Sequence, residues 1–191
     1  MINYICTICG MIINDKNFDF NKEVLPYENS IDNIKYCPFC GADSTFIKKV
    51  DQGEGAEIKL TAENMDNATS VIIDHAMKLE VFNGDFYKKA SKLAKNDEIK
   101  IMFQCLSNIE YMHARIHKSI GGFKELPVLR EMDYCKYGED AMLMDLANKR
   151  EKHAVEYYDR YAEEVCSHKI KEIFNALSRV EKGHMDLTLK K

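Results

Sequence analysis

Two segments of the chain repeat the same metal-ligating residue types at the same spacing. The series Glu80, Tyr87, Glu110 and His113 recurs 71 residues later as Glu151, Tyr158, Glu181 and His184. Residues 80–113 and 151–184 share nine identities in 34 aligned positions, where composition alone would give about two. We interpret these segments as an internal repeat.

Each half of the repeat supplies one lone glutamate and one Glu-x-x-His pair. Residues three apart share a helix face, so Glu110 and His113 can reach the same metal. The same holds for Glu181 and His184. Two such helical hairpins meet the requirement for a carboxylate-bridged di-metal site in a four-helix bundle. Oxygen-rich ligands with two imidazoles suit iron or manganese.

The candidate ligands lie on the apolar stripes of four predicted helices. Steps of three and four residues follow the helical period and place the carboxylates where a bundle has its core. The stripes are Ile73-Met77-Glu80-Gly84-Tyr87, Ile99-Phe103-Leu106-Glu110-His113, Met144-Asn148-Glu151-Val155-Tyr158 and Ile170-Phe174-Leu177-Glu181-His184. A solvated helix face would explain one Glu-x-x-His pair, but not two at matched spacing on apolar stripes. Burying four unpaired carboxylates is costly, so coordination of a metal is the simplest explanation.

Helix boundaries follow from capping residues and helix breakers. The first helix is expected to start within 61–68 and to end near Lys95, and the second to run from Asn96 to about Ser119. The third helix is expected to start near Glu139, and the fourth to run from Ser167 to about Leu189. Asn96 and Ser167 are equivalent in the repeat, and both favour N-caps. Glycines and a proline break the roughly 20 residues between the second and third helices, which form either a loose loop or a long crossover.

The first 50 residues have a different character, because they contain two Cys-x-x-Cys motifs. The motifs are Cys6-Thr7-Ile8-Cys9-Gly10 and Cys37-Pro38-Phe39-Cys40-Gly41. Each glycine can take the positive φ that turns backbone N–H groups towards the sulfurs. Four thiolates suit tetrahedral zinc or iron equally well. Residues 51–56 are polar and glycine-rich, which predicts a linker at 51–60 between a domain at 1–50 and a bundle at 61–191.

Composition argues against several classes of function. The 27 basic and 31 acidic residues give a net charge of −4, which does not favour binding to nucleic acid or to a membrane surface. No stretch approaches the ~18 consecutive apolar residues of a membrane span, and no cationic or apolar leader precedes Cys6. Seven cysteines without a leader favour a reducing compartment. We therefore expect a soluble, cytoplasmic protein.

The residues around the cysteine motifs resemble rubredoxin over about the first 50 positions. The matching stretches are Tyr4–Gly10, Tyr36–Ala42 and Phe46. Together with the repeat, they make nearly the whole chain resemble rubrerythrin in its reverse arrangement, in which the rubredoxin-like domain comes first. This resemblance implies an all-α, ferritin-like four-helix bundle preceded by a small metal-binding domain. It also implies one iron in the four-cysteine site, where zinc remains the alternative.

The resemblance further implies a role for each repeated residue. The terminal ligands of two non-haem irons would be Glu80 with His113 and Glu151 with His184, and the bridging ligands would be Glu110 and Glu181. Tyr87 and Tyr158 either hydrogen-bond the carboxylate of the opposite hairpin or serve as core aromatics. Family members carry an additional glutamate one turn along the third helix. Here the one-turn neighbours of Glu151 are Ala147 and Ala154.

The activity implied by the resemblance is reduction of hydrogen peroxide, or of dioxygen, to water. Electrons would come from an NAD(P)H-dependent reductase and pass through the rubredoxin-type iron, and a homodimer is expected. The alternative function is non-enzymatic iron binding or storage by a ferritin relative that carries a structural zinc ribbon. His117 continues the stripe of the second helix and is expected to pack in the core or at its rim rather than to bind a metal. Cys105, Cys135 and Cys166 are expected to be buried free thiols.

Overall fold

The computed structural model describes residues 3–50 and 65–189. Within these ranges, three short strands and two 3-10 turns precede four long helices. The predicted fold class, a ferritin-like four-helix bundle with a small rubredoxin-like domain in front of it, is confirmed. The predicted linker at 51–60 lies outside the described residues. None of the helices in the described ranges combines the length and apolar character that a membrane crossing needs.

The N-terminal strands form a small antiparallel sheet with its first strand in the centre. The strands are β1 (Asn3–Cys6), β2 (Ile12–Ile13) and β3 (Ile47–Val50), in the order β2-β1-β3. Cys6 ends β1 opposite Ile47. Gly10 and Gly41 follow the two cysteine pairs with φ of 74° and 73°, and their N–H groups donate to the carbonyls of Cys6 and Cys37. These glycines therefore close the two turns that carry the thiols.

The four helices form two antiparallel hairpins. They are α1 (Asn67–Leu93), α2 (Asp97–Gly121), α3 (Asp140–Tyr161) and α4 (His168–Leu189), with α1 packed on α2 and α3 on α4. The Asn96 side chain accepts hydrogen bonds from the N–H groups of Glu98 and Ile99, as an N-cap should. Ser167 directly precedes α4. Residues 122–139 join the hairpins and contain no helix or strand.

The buried apolar side chains form two clusters, one towards each end of the bundle. The first contains Ile73 and Phe174, and the second contains Phe86 and Phe103. Along every helix, the predicted metal ligands fall between the residues of one cluster and those of the other. The carboxylates and imidazoles thus form a polar layer enclosed by apolar side chains above and below.

The first cluster extends out of the bundle into the N-terminal domain. Ile8 and Ile34 belong to the same group of buried side chains as Ile73 and Phe174. Polar contacts accompany this packing: the Asn108 amide in α2 donates to Asn21 at 3.0 Å, and Arg179 in α4 pairs with Asp43 at 3.5 Å. The four-cysteine domain therefore lies directly on α2 and α4.

Gly41 lies at this junction, and we expect its replacement by alanine to destabilise the protein. A Cβ added at Gly41 would lie 2.7 Å from Cγ1 of Val180, a β-branched side chain with little rotamer freedom in a helix. Positive φ costs a residue with a Cβ about 1 kcal/mol, and overpacking adds roughly 1–3 kcal/mol. Chemical denaturation of the metal-loaded protein measures the free energy of unfolding, which should fall by the sum of these two costs.

Gly122→Ala is the matched control for this prediction. Gly122 also has a positive φ, of 65°, but an added Cβ there would meet nothing within 4 Å. In Gly122→Ala the free energy of unfolding should fall only by the cost of the positive φ, about 1 kcal/mol. Equal losses in Gly41→Ala and Gly122→Ala would show that the contact with Val180 does not hold the domain against α4.

Candidate metal centres

The two cysteine turns bring four thiols together. Cys6 and Cys40 approach to 3.7 Å between sulfurs, and Cys9 and Cys37 approach to 3.6 Å. All four are buried and free, and their sulfurs lie within 4.8 Å of one another. Four sulfurs bound at about 2.3 Å to one tetrahedral ion would be about 3.8 Å apart, so the cluster could hold a metal.

The acid–base properties of these thiols also favour a cation. A hydrogen bond from Cys37 lowers the pKa of Cys6, whereas burial raises the pKa of Cys40 well above its usual range. Four thiolates cannot coexist in so small and buried a space without a positive ion between them. The other three cysteines are free thiols, but their expected burial is wrong for two of them: Cys105 is half-buried, whereas Cys135 and Cys166 are exposed. None of these three belongs to a cluster of possible ligands among the described residues.

All six repeated carboxylates and imidazoles converge at the middle of the bundle. α1 contributes Glu80, α2 contributes Glu110 and His113, α3 contributes Glu151, and α4 contributes Glu181 and His184. The four glutamates and His113 have no exposed surface, and His184 is 2% exposed. The helical spacing that predicted a shared face thus brings the side chains to one point.

These six side chains fall into two groups with two members in common. One group is Glu80, Glu110, His113 and Glu181, and the other is Glu110, Glu151, Glu181 and His184. Glu181 lies between the two imidazoles, with one carboxylate oxygen 2.9 Å from Nδ1 of His113 and the other 2.9 Å from Nδ1 of His184. Glu110 is 3.3 Å from Nδ1 of His184. This arrangement could hold two metals with two shared carboxylates.

Unpartnered atoms in the polar layer show that the residues fit such ions. The buried atoms without a hydrogen-bond partner among the described residues include Oε2 of Glu80, both carboxylate oxygens of Glu110 and Oε2 of Glu151. Buried oxygens of this kind cost free energy unless a cation or a proton satisfies them. The residues of the polar layer therefore fit cations bound at its centre.

The ionisation of the four glutamates leads to the same conclusion. Burial raises the pKa of Glu80, Glu110 and Glu151 well above their usual range, and neighbouring carboxylates raise it further. Burial would also raise the pKa of Glu181, but His184 and His113 hold it well below its usual range. Without added positive charge, the layer cannot ionise all its carboxylates. Metal binding here must therefore displace protons.

The two repeated tyrosines connect the hairpins through the polar layer. Tyr87 of α1 donates a hydrogen bond to Glu151 of α3, and Tyr158 of α3 donates one to Glu80 of α1. Both rings are fully buried, and burial raises the pKa of both hydroxyls well above the usual range, so they remain protonated donors. Each lone glutamate is thus oriented by the tyrosine of the opposite hairpin.

The sequence did not predict the hydrogen bonds of two groups near the polar layer. His117 was expected only to pack in the core or at its rim. It is fully buried in the core, and its Nε2 also lies 2.7 Å from the Tyr158 hydroxyl. The stripe position predicted its burial but not its partner. The second group is the backbone carbonyl of Cys40, which lies 2.9 Å from Nε2 of His113. No pattern of side chains could have indicated it.

The third helix carries no further carboxylate beside Glu151 in the polar layer. Ala147 and Ala154, one turn away on either side, are fully buried and present only methyl groups. Asn148, three residues before Glu151, donates its amide instead to Met185 and Thr188 of α4. The two clusters in the bundle therefore draw on six residues among those described.

Comparison with known proteins agrees with this geometry. The family model for rubrerythrin matches residues 71–191, which include all four helices except the first turn of α1. A protein of Bacillus subtilis (strain 168) described as "Uncharacterized protein YhjR" is 30% identical over 114 residues, which are 55% of this chain and 77% of that protein. No solved structure matches the chain significantly. The matched residues and the two buried ligand clusters place this chain in the rubrerythrin family, whose members are typically oxidoreductases.

Proposed function

We propose that this protein is a non-haem di-iron oxidoreductase that reduces hydrogen peroxide to water. Two electrons and two protons convert one peroxide molecule into two water molecules. Irons bound in the polar layer would supply those two electrons and a Lewis-acidic place for peroxide to bind. The third iron, in the four-cysteine site, would accept electrons one at a time from an NAD(P)H-dependent reductase. We further propose that the protein acts in the cytoplasm.

The proposed ligands follow the two overlapping groups in the bundle. One iron would be held by Glu80 and His113, and the other by Glu151 and His184. Glu110 and Glu181 belong to both groups, which supports a bridging role. Cys6, Cys9, Cys37 and Cys40 would hold the third iron, although their geometry suits zinc equally.

One observation supports a redox function above all others. The Nδ1 atom of His113 faces the polar layer, and its Nε2 lies 2.9 Å from the carbonyl oxygen of Cys40. With Nδ1 free to bind a metal, Nε2 carries the proton and donates it to that carbonyl. One hydrogen bond and the covalent bonds of His113 and Cys40 therefore connect the four-cysteine cluster to the polar layer. A storage protein with a purely structural zinc ribbon has no need of this connection.

The same connection bears on the oligomeric state. His113 and Cys40 belong to one chain, so the link between the two clusters does not depend on a second copy. A homodimer remains a prediction, and the proposed electron relay does not require it. A head-to-tail arrangement is accordingly unnecessary for bringing a four-cysteine site close to the bundle.

A small cleft offers peroxide an approach to the polar layer. It has a volume of about 50 Å³, it lies between the N-terminal domain and α4, and its wall includes Val180, Gly183 and His184. His184 is also the one proposed bundle ligand with any exposed surface. A volume of this size holds a few water-sized molecules, which suits hydrogen peroxide or dioxygen. The enclosing apolar clusters keep bulk water from the carboxylates.

The decisive experiment mixes the reduced protein rapidly with a measured amount of hydrogen peroxide. We expect one peroxide to be consumed per two electrons, and visible bands of the bundle irons to appear before those of the thiolate-bound iron. Since no further carboxylate lies beside Glu151, we expect the rate advantage of peroxide over dioxygen to be smaller than in relatives that have one.

Three other results would change the assignment. Faster oxidation by dioxygen than by peroxide would make the protein an oxidase. No reaction with either oxidant, in protein that contains iron in the bundle, would favour iron storage. A colourless N-terminal domain containing zinc would exclude the electron relay through the four-cysteine site.

A further inference from the structure

Within the described ranges, a buried chain of hydrogen bonds that runs through a tyrosine to an imidazole extends from the polar layer on one side only. Tyr158 donates to Glu80, and Nε2 of His117 lies 2.7 Å from the Tyr158 hydroxyl. The His117 ring also stacks on Tyr158, with centroids 5.7 Å apart and planes at 29°, and meets the ring of Phe174 edge-on. These aromatic contacts pack the imidazole on two sides, and in this orientation its Nε2 faces the hydroxyl.

The protons of this chain can be placed from its acceptor. A glutamate that binds a metal is ionised and accepts, so the single proton of the Tyr158 hydroxyl is donated to Glu80. The tyrosine oxygen must then accept from Nε2–H of His117. Burial lowers the pKa of His117 to about 3, so the ring is neutral and carries one proton. Its Nδ1 is buried without a hydrogen-bond partner among the described residues, which is consistent with a proton on Nε2.

The other half of the repeat lacks this extension. Thr188 occupies the position equivalent to His117, and its hydroxyl donates to the Met185 carbonyl and accepts from the Asn148 amide. Tyr87, the counterpart of Tyr158, donates to Glu151 and packs against Phe103. Among the described residues, an imidazole therefore supports only the tyrosine that serves Glu80.

We propose that His117 is a positioning residue that makes the two metal positions of the bundle inequivalent; this inference rests on the proposed function. Donation from His117 polarises the Tyr158 hydroxyl and strengthens its hydrogen bond to Glu80, because linked hydrogen bonds reinforce one another. A carboxylate that receives a stronger hydrogen bond donates less charge to its metal. An iron held by Glu80 and His113 would then have a higher reduction potential than an iron held by Glu151 and His184.

The geometry gives this inequivalence a direction. His113 is also the imidazole whose Nε2–H donates to the Cys40 carbonyl. The metal position of Glu80 and His113 therefore has two features. It is connected to the four-cysteine cluster through His113, and its Glu80 accepts the hydrogen bond that His117 supports through Tyr158. An electron arriving from the N-terminal domain would meet the position of higher potential first. The other end, at His184, faces the cleft.

Redox titration of the iron-loaded protein tests the proposal without peroxide or a reductase. We would follow the mixed-valent pair by electron paramagnetic resonance and determine its comproportionation constant, the equilibrium constant for its formation from the fully oxidised and fully reduced pairs. His117→Phe keeps the ring and removes the donor. The constant should fall about 1.3- to 4.6-fold in this variant, as expected from a 10–30% weakening of a hydrogen bond to a charged group.

Two further variants separate this role from simple packing. Thr188→Val alters the equivalent position of the other hairpin and should leave the constant within experimental error or raise it. His117→Gln keeps an N–H donor and should restore most of the wild-type value, even if His117→Phe binds iron less well. An unchanged constant in His117→Phe, or the same decrease in Thr188→Val, would overturn the proposal.

A second measurement is independent of iron. In protein loaded with zinc, nitrogen-15 NMR should show the Nε2–H tautomer of His117 with a hydrogen-bonded proton. The Nδ1–H tautomer would overturn the inference, since Nε2 would then accept from Tyr158 and take its proton away from Glu80. If the wild-type protein binds no iron in the bundle, the proposed function fails instead. The NMR result therefore separates the two failures.

Discussion

Replacement of Glu181 by alanine is expected to remove both metals from the bundle, whereas replacement of His184 should remove about one. Glu181 belongs to both ligand groups and has an oxygen 2.9 Å from each imidazole, while His184 belongs to one group only. The other half of the repeat should behave in the same way, with Glu110→Ala affecting both metals and His113→Ala mainly one. Metal content per chain after purification, measured by mass spectrometry, provides the test.

Glu156→Ala is the control for these four variants. Glu156 lies on α3 beside the site in sequence, but it is exposed, and its ion pair is a surface contact with Lys152 at 3.9 Å. This variant should retain the full metal content. The loss of one metal in each of the four ligand variants would contradict the bridging assignment, and retention of both metals in Glu181→Ala would contradict the site itself.

Replacement of Cys37 by alanine is expected to abolish steady turnover with a reductase while sparing one rapid oxidation by peroxide. The variant lacks one of four thiols but keeps the bundle ligands and the Cys40 carbonyl that accepts from His113. Steady turnover should fall by more than the roughly 100-fold loss that follows removal of a partner outside the ligand shell. Stopped-flow mixing measures the single oxidation, and NAD(P)H consumption measures the steady rate.

A point substitution tests the relay better than removal of the N-terminal domain. Ile8 and Ile34 share an apolar cluster with Ile73 and Phe174, so truncation at residue 50 would expose the faces of α2 and α4. Cys166→Ala is the matched control, because Cys166 is an exposed thiol outside the four-cysteine cluster. Loss of steady turnover in this control as well, or a normal rate in Cys37→Ala, would exclude the relay.

Much of the di-metal layer was predictable because helical periodicity is a local property. A residue three or four positions from an apolar neighbour lies on the same face, whatever the rest of the chain does. The internal repeat then doubled the evidence, since two Glu-x-x-His pairs on apolar stripes are hard to explain as helix surface. The N-cap at Asn96 followed from the same kind of local chemistry.

The contacts between elements could not be derived in this way. The His117 stripe position indicated burial, but the Tyr158 hydroxyl that meets its Nε2 lies 41 residues away on another helix. Nothing in the stripe distinguishes an imidazole that only packs from one that donates a hydrogen bond. The partner depends on the rotation and the distance of α3 relative to α2, which packing of the whole core decides.

By itself, the amino-acid sequence determined which residues can bind metal, because the spacing of cysteines in a turn and of Glu-x-x-His on a helix is set by backbone geometry. The tertiary structure alone decided how the two clusters are joined. The Cys40 carbonyl that accepts from His113 is a backbone group, present at every residue and invisible in any motif. It reaches the imidazole only because an apolar cluster shared by both parts of the chain seats the N-terminal domain on α2 and α4.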